Sequence, residues 1–477
     1  MSIQGRFRNS RSNYVRPLLR KVIEFFFLSS AWFLLIGGSA TAQDDMYAQT
    51  HIWTDQDFHE LAKPATVPLP VGTAITTENW KQYQDYMRML FRGDHFFKIL
   101  PGQQMIIAPT IPVPLPKLFQ AATERYAGSA SIVPAPEIGP GAVTIKGYQG
   151  GVPFPDPKEP DRAMKIEYNS WFSYEPATVH LNGDVFLVDK FHDRSPLIVD
   201  AVVGKASFIA DPGLPETNPQ LADVYNYTYD EEVLPEEGKY SGVLDIWHRD
   251  PIKFTDLYAY VPSLRRVLRL SPAAVCAPVL GSDVMNDDNC TNERNCQQVP
   301  LFQAILFGEK KEVAMVHLSG DATTEGPNYM PLEKYFYATD QEIAAAGFDF
   351  PRPAAGSFEL RDVYLLALRR IPSLSKGYCY GTRLFYIDKD TWHSIIDDLW
   401  DAQQKYWKYD FTQYSTIPIP ETRDVYFGDQ YHITIFDFQN YHCTDAIDMK
   451  AHINKEAGKY QDITRYATPG GLMQINQ

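Results

Sequence analysis

Apolar and polar residues alternate along 164–175. Met164, Ile166, Tyr168, Phe172 and Tyr174 are set against Lys165, Glu167, Asn169, Ser173 and Glu175. A period of two is the signature of a half-buried strand, so this run predicts one, longer than the usual five or six residues. Asn182-Gly183 follows as a type I′ turn signal and predicts a hairpin between strands at 177–181 and 184–190. Similar patterns predict strands at 201–210, 240–248, 253–261, 265–270, 312–318, 358–370, 382–388, 392–399, 405–411 and 431–438. Turn residues at 388–390 and 401–404 leave connections too short for parallel neighbours, so these strands are expected to form an antiparallel meander.

Helical spacing is rarer. Trp80, Tyr83, Met87 and Leu90 share one face of a helix predicted over 77–93, with Thr77 and Asn79 as capping oxygens. A second helix is expected over 116–126, with Leu118, Ala121, Ala122 and Tyr126 as its face, and others over 299–308, 340–346 and 444–457. Residues 43–75 lack a period and are expected to wrap the domain as an arm. One domain is expected over 76–465, followed by a tail at 466–477. The fold class is therefore β-rich α+β: one long, curved antiparallel sheet, a half-open barrel, with helices packed against its concave side. Such a sheet can enclose a ligand cavity, and Ile166, Tyr168, Phe172 and Tyr174 are the candidate lining.

The first 42 residues add a location. Arg6, Arg8, Arg11, Arg16, Arg20 and Lys21 precede a mostly apolar run over 22–38, which ends in Ser39-Ala40-Thr41-Ala42. That is the layout of a cleavable signal peptide, and it predicts a periplasmic protein. The competing reading is a membrane anchor. The run is short for a bilayer span and holds Glu24, Ser29 and Ser30. The whole chain carries a formal charge of −15, and export would remove more basic than acidic residues. An acidic chain of this kind argues against nucleic acid as a partner. With 29 Tyr, 27 Phe and 35 Pro, the composition fits a strand- and loop-rich globule rather than disorder.

Five cysteines, Cys276, Cys290, Cys296, Cys379 and Cys443, are expected to pair in an oxidising compartment, with one left over. Cys290 with Cys296 is the favoured pair because it closes a short Asn/Asp-rich loop. Cys379 with Cys443, or Cys276 with either, are the alternatives. The spacing supports no metal cluster.

Catalytic signatures are missing: there is no G-x-S-x-G elbow, no H-E-x-x-H and no glycine-rich phosphate loop. No catalytic residue and no cofactor is assigned. Gly147 to Pro157 reads as a stiff entry loop presenting Phe154. Arg265 and Arg269 share one strand face and form a candidate clamp for an acidic headgroup. The preferred alternative pairs these arginines with Asp283, Asp287 or Asp288. Those acids as Ca²⁺ ligands are disfavoured, because the spacing is not that of an EF-hand.

Three motifs together carry a resemblance: G-G-V-P-F-P at 150–155, R-R-V-L-R-L-S-P-A at 265–273 with G-S-D at 281–283, and R-L-F-Y-I-D-K-D-T-W at 383–392 followed by D-A-Q-Q-K-Y-W-K. The chain resembles, over roughly 75–465, the bacterial domain-of-unknown-function family numbered 1329. That family is grouped with the lipoprotein carrier and receptor fold of the Lol system and described as outer-membrane lipoprotein-sorting-like. The resemblance implies a half-open barrel around an apolar cavity and a lipid-like small-molecule ligand. It also implies partners such as an outer-membrane barrel-like protein and an RND/MMPL-type transporter. It supplies no catalytic residues. The expected function is a periplasmic carrier for a hydrophobic molecule. The alternatives are an accessory subunit that binds protein partners and, further off, an envelope lipid-modifying enzyme.

Overall fold

The computed structural model describes residues 50–89, 92, 104–189, 194–205, 219–271, 274–279, 281–288, 299–316 and 357–474. The predicted signal segment, the helix at 340–346 and the Cys290–Cys296 pair lie outside them.

Among the described residues thirteen strands form one sheet, and every neighbouring pair is antiparallel. Six come first along the chain: β5 (Thr178–Val188), β6 (Arg194–Lys205), β7 (Val224–Leu234), β8 (Gly242–His248), β9 (Asp256–Val261) and β10 (Arg266–Arg269). Seven follow: β11 (Phe302–Val316), β12 (Ser357–Arg370), β13 (Tyr380–Asp388), β14 (Ser394–Asp401), β15 (Tyr406–Pro418), β16 (Val425–Asp437) and β17 (His442–Ile453). Each set is a meander. The two join where β17 pairs with β5, leaving β10 and β11 as edges, so the sheet is open rather than closed into a barrel. Two small antiparallel pairs stand apart, β1 (Ala74–Ile75) with β2 (Met105–Ile106) and β3 (Ser131–Pro134) with β4 (Val143–Lys146).

Both faces of the sheet are covered. On the inner face, α2 (Lys117–Arg125) and α3 (Arg162–Trp171) set Phe119, Ala122 and Ile166 against Leu366, Leu368, Phe385, Ile387 and Leu399. The expected cavity is therefore filled with side chains over the β12–β14 part of the sheet. On the outer face, α1 (Asp55–Leu61) places Phe58 on Trp400 and Phe307, at ring separations of 4.8 and 5.0 Å. The unperiodic arm thus contains a helix, held by a capping box between Thr54 and Asp57. Farther along the outer face, α4 (Ile463–Tyr466) and α5 (Pro469–Leu472) bury Tyr466 and Leu472 against Tyr227, Tyr229 and Leu244. Helices accordingly lie on both sides, not on the concave side alone.

Several expectations are corrected. The run at 164–175 is not a strand; its first part is α3. On a helix, residues two apart point to opposite sides and residues four apart to the same side. Met164 and Tyr168 enter one apolar cluster and Ile166 enters another, so a helix between two cores mimics a strand pattern. Asn182-Gly183 is no turn but the middle of β5, paired with Asp200 and Val199 of β6. Gly183 sits opposite an irregularity in β17, where the register steps between Ile447 and Lys450, a usual place for a strand glycine. The predicted helix at 444–457 is mostly strand β17, because pairing on both sides overrides local preference. The helix expected at 299–308 is a single turn leading into β11. That at 77–93 is a 3₁₀ segment at Trp80–Tyr86, and β7 was not foreseen.

Part of the link between the two edge strands, residues 281–288, lies on the inner face. Arg383, Leu399, Lys408, Asp437 and His442 are successive register partners, forming one row over β13–β17. Residues 281–288 lie along this row as a strap. Arg383 Nη1 is 3.1 Å from Asp288 Oδ1 and 3.6 Å from Asp287 Oδ2. Lys408 Nζ donates to the Asp283 carbonyl at 2.7 Å, and His442 Nδ1 meets the Asp283 carboxylate. Tyr378 and Tyr380 donate to Asp287 and Asp288. A disulfide, Cys276–Cys379, fastens the start of the strap to the turn before β13. Cys443 lies buried on β17, outside the bridge.

One buried acid makes stability depend on pH. Asp398 on the outer face accepts hydrogen bonds from Tyr386 (2.8 Å) and Tyr406 (2.7 Å). Burial outweighs these two donors and pushes its carboxyl from 3.8 up to about 6. The folded chain therefore holds a proton that the unfolded chain has released. This contribution to stability is greatest below about pH 4 and declines as pH rises to 6. Asp398→Asn should remove roughly 1–3 kcal/mol of that decline. Unfolding free energies of both proteins between pH 4 and 6.5 check this; parallel curves would refute it.

Candidate functional site

A half-open pocket lies where the end of α3 meets β6, β7 and β8. Trp171, Ser173, Glu175, Lys205, Tyr225, Asn226 and Trp247 line it. Its empty space of about 330 Å³ is shared with open solvent, and the pocket as a whole has room for little more than one water-sized sphere.

Each wall has a local cause. Beyond Trp171 the chain runs extended towards β5, so Ser173 and Glu175 face the pocket in turn. Between them, Phe172 stacks on Tyr148 at 3.9 Å, and Tyr174 packs edge-on to Phe119 at 5.5 Å. Lys205 ends β6, where its backbone N–H donates to the Ala177 carbonyl at 2.9 Å. Its ammonium is 3.7 Å from Glu175 and 4.8 Å from the Tyr225 ring centre. Tyr225 sits at a step in the β7 register, between Val224 and Asn226, which turns its ring to the pocket and against Phe172 at 5.2 Å. Burial pushes its phenol well above the ordinary range. Asn226 and Trp247 are direct cross-strand partners and complete the wall. The pocket thus pairs aromatic surface with a nearly buried ion pair, a combination suited to an apolar molecule with a polar end.

The expected lining residues are close by but elsewhere. Ile166 and Tyr174 belong to the inner-face core, and Tyr168 and Phe172 to the cluster around Val299. All four are buried among protein side chains; the pocket takes their sequence neighbours instead. Arg265 and Arg269 do not form a clamp on one strand face. Arg265 occupies the tight turn before β10, with a φ of 52°, while Arg269 lies on the edge strand, exposed and paired with Asp256. The alternative partners Asp283, Asp287 and Asp288 are held by the strap contacts across the sheet. Gly147 to Pro157 is structural. A Cβ on Gly151 would come within 2.3 Å of the Thr123 backbone, and Phe154 exchanges two hydrogen bonds with the Asn169 side chain.

Asp283, Asp437 and His442 bring three possible metal-ligand atoms within 4.8 Å of one another. Their hydrogen bonds account for them. Asp437 accepts from the Gln439 and Asn440 backbone and from Trp407 Nε1, closing the β16–β17 turn. Asp283 is held by His442 and Thr444. Burial raises the Asp283 carboxyl, against the His442 and Lys408 charges. Among the described residues, no helix is long and apolar enough to cross a membrane.

Fold and site together define a class: an α+β protein on one open antiparallel sheet, strapped and helix-covered on its inner face, with a small aromatic pocket beside the cover. The chain belongs to the family described as "Protein of unknown function (DUF1329)", whose model matches residues 74–470. Among solved structures it is similar to a domain described as an outer membrane lipoprotein-sorting protein from Vibrio parahaemolyticus. That match has 12% identity and a TM-score of 0.39, over 63% of this chain and 96% of that one. It is also similar to a DUF1329 family protein from Desulfovibrio piger, at 13% and 0.39, over 61% and 90%. A LolA superfamily protein from Nitrosomonas europaea matches at 12% and 0.33, over 60% and 92%. No curated protein matches the chain.

Proposed function

We propose that this chain is a periplasmic binding protein that carries a hydrophobic or lipid-like molecule, with one end of that molecule seated in the pocket at Trp171, Tyr225 and Trp247. The pocket carries the reading: aromatic walls supply apolar contact, and the Glu175–Lys205 pair fixes a polar group. The export signal in the sequence supports the compartment. The filled inner face over β12–β14 limits what is enclosed to part of the ligand and leaves the rest to lie elsewhere. The protein acts in this reading by binding rather than by chemistry, within an envelope transport system that includes barrel-like and RND/MMPL-type partners.

The test is native mass spectrometry of protein purified without detergent, followed by organic extraction. A stoichiometric lipid-like adduct is expected. Titration with the fluorescent probe 1-N-phenylnaphthylamine should saturate near one per chain. Trp171→Ala, which removes a partly exposed wall, should weaken this binding at least fivefold at unchanged thermal stability. A clean mass together with no probe uptake would overturn the reading.

A second reading, an accessory subunit that binds protein, has its own observation. Among the described residues strand β10 is an open edge, and Leu264 and Leu268 beside it are 57% and 39% exposed. An unpaired strand edge with apolar side chains suits strand addition by a partner.

A further inference from the structure

Beside the pocket, on the same inner face, lies a group of buried polar side chains. Trp247 and Asp245 lie two apart on β8, and Asn226, Thr228 and Asp230 lie two apart on β7. Residues two apart on a strand share a face, so all five face the same side, with Asp245 directly opposite Thr228. Asp245 is 3% exposed and Thr228 4%. Among the described residues, Asp245 Oδ2 and Thr228 Oγ1 have no hydrogen-bond partner. Asp230 stands diagonally across the ladder, close enough for its charge to oppose that of Asp245.

A buried carboxyl oxygen and a buried hydroxyl left unpartnered side by side on one face are costly, and such groups in native proteins ordinarily have a partner. We propose that Asp245, with Thr228 and Asp230, seats the cationic head of the carried molecule: a primary ammonium on an apolar body. This rests on the carrier reading and names its ligand class. An ammonium has three donors and no acceptor, which matches two carboxyls and a hydroxyl. Trp247, one step along the same face, adds an aromatic surface that favours a cation. A carboxylate head would meet like charge from both acids. A neutral hydroxyl head has one donor and would leave acceptors unmatched. Lys205, the cation of the same pocket, is turned to Glu175. Burial beside Asp230 raises the Asp245 carboxyl well above its usual range, so the empty site favours the protonated acid and a bound ammonium would favour the carboxylate.

The test titrates the full chain with dodecylamine hydrochloride and with dodecanol, both below their aggregation limits, by calorimetry at pH 7. Dodecylamine is expected to bind at least tenfold more tightly. Asp245→Asn should abolish that preference while leaving dodecanol binding and the thermal midpoint unchanged or the midpoint raised. Thr228→Val should reduce the preference in part. Dodecanol bound with no preference for the amine would overturn the ammonium site and leave the carrier reading standing. Amine binding unaltered by Asp245→Asn would also overturn the site, assigning the binding to the acidic surface. Failure of both compounds to bind would overturn the carrier reading and this site with it.

Discussion

Replacing Cys276 and Cys379 together by serine is expected to lower stability by about 2–5 kcal/mol. The bridge closes a loop across a separation of 103 residues, and long closed loops restrict the unfolded chain most. It also anchors the start of the strap, so its loss should loosen residues 274–288 before the sheet itself opens. Chemical denaturation at constant slope gives the size of the effect, and hydrogen exchange gives its place. Reducing the unaltered protein should reproduce the variant. Cys443→Ser should cost far less, since that residue is buried on β17 outside the bridge. Equal denaturation midpoints for the double variant and the oxidised parent would refute the structural role of this pair.

Arg383→Ala is expected to cost about 3–5 kcal/mol, comparable to the loss of the bridge. The Arg383 guanidinium is fully buried on β13, donates to the Asp287 carbonyl at 3.0 Å and lies beside both strap carboxyls. Alanine would leave Asp287 and Asp288 buried without their cation. Burial already pushes Asp287 up to about 6 against the pull of Arg383. The diagnostic experiment is a double-mutant cycle with Asp288→Asn. If the loss comes from stranded charge, the combined variant should recover at least half of it. Additive losses would point instead to the packing of the long side chain on Tyr380 and Phe385, whose ring centres are 5.2 and 5.6 Å away.

Both predictions concern the same part of the molecule. The strap holds the inner face of β13–β17, while the pocket and the Asp245 group lie on the inner face of β6–β8. Loosening the strap is therefore a stability effect, separable from the binding effects of Trp171→Ala and Asp245→Asn.

Much of the sheet was legible. Strands β8, β9, β10, β12, β13 and β14 lie where alternation and turn residues place them, because both signals are local. The antiparallel order of the second meander followed from turns at 388–390 and 401–404 that are too short for anything else. The helix at Lys117–Arg125 was also legible, though not its face: Phe119 and Ala122 meet the core, while Leu118 and Ala121 of the expected face are exposed. The pocket was not. Lys205 reads as the polar end of an apolar strand, and Trp171 and Trp247 look like any other core aromatics until α3 and β8 are set side by side. The strap misled in the same way. Its acids were matched to Arg265 and Arg269, nearest in sequence, whereas the fold matches them to Arg383, Lys408 and His442 on strands more than ninety residues away.

The sequence by itself determined a β-rich chain with short turns, an acidic balance and a likeness to one family. Tertiary structure alone decided that 164–175 begins as a helix, that Asn182-Gly183 runs straight through, that 442–453 is a central strand and that Cys276 meets Cys379. The reason is physical. Periodicity reports how many sides of a segment are buried, and a helix between two cores shows the same alternation as a strand. What does the burying, and which charge meets which, depends on groups that come together only when the sheet has formed.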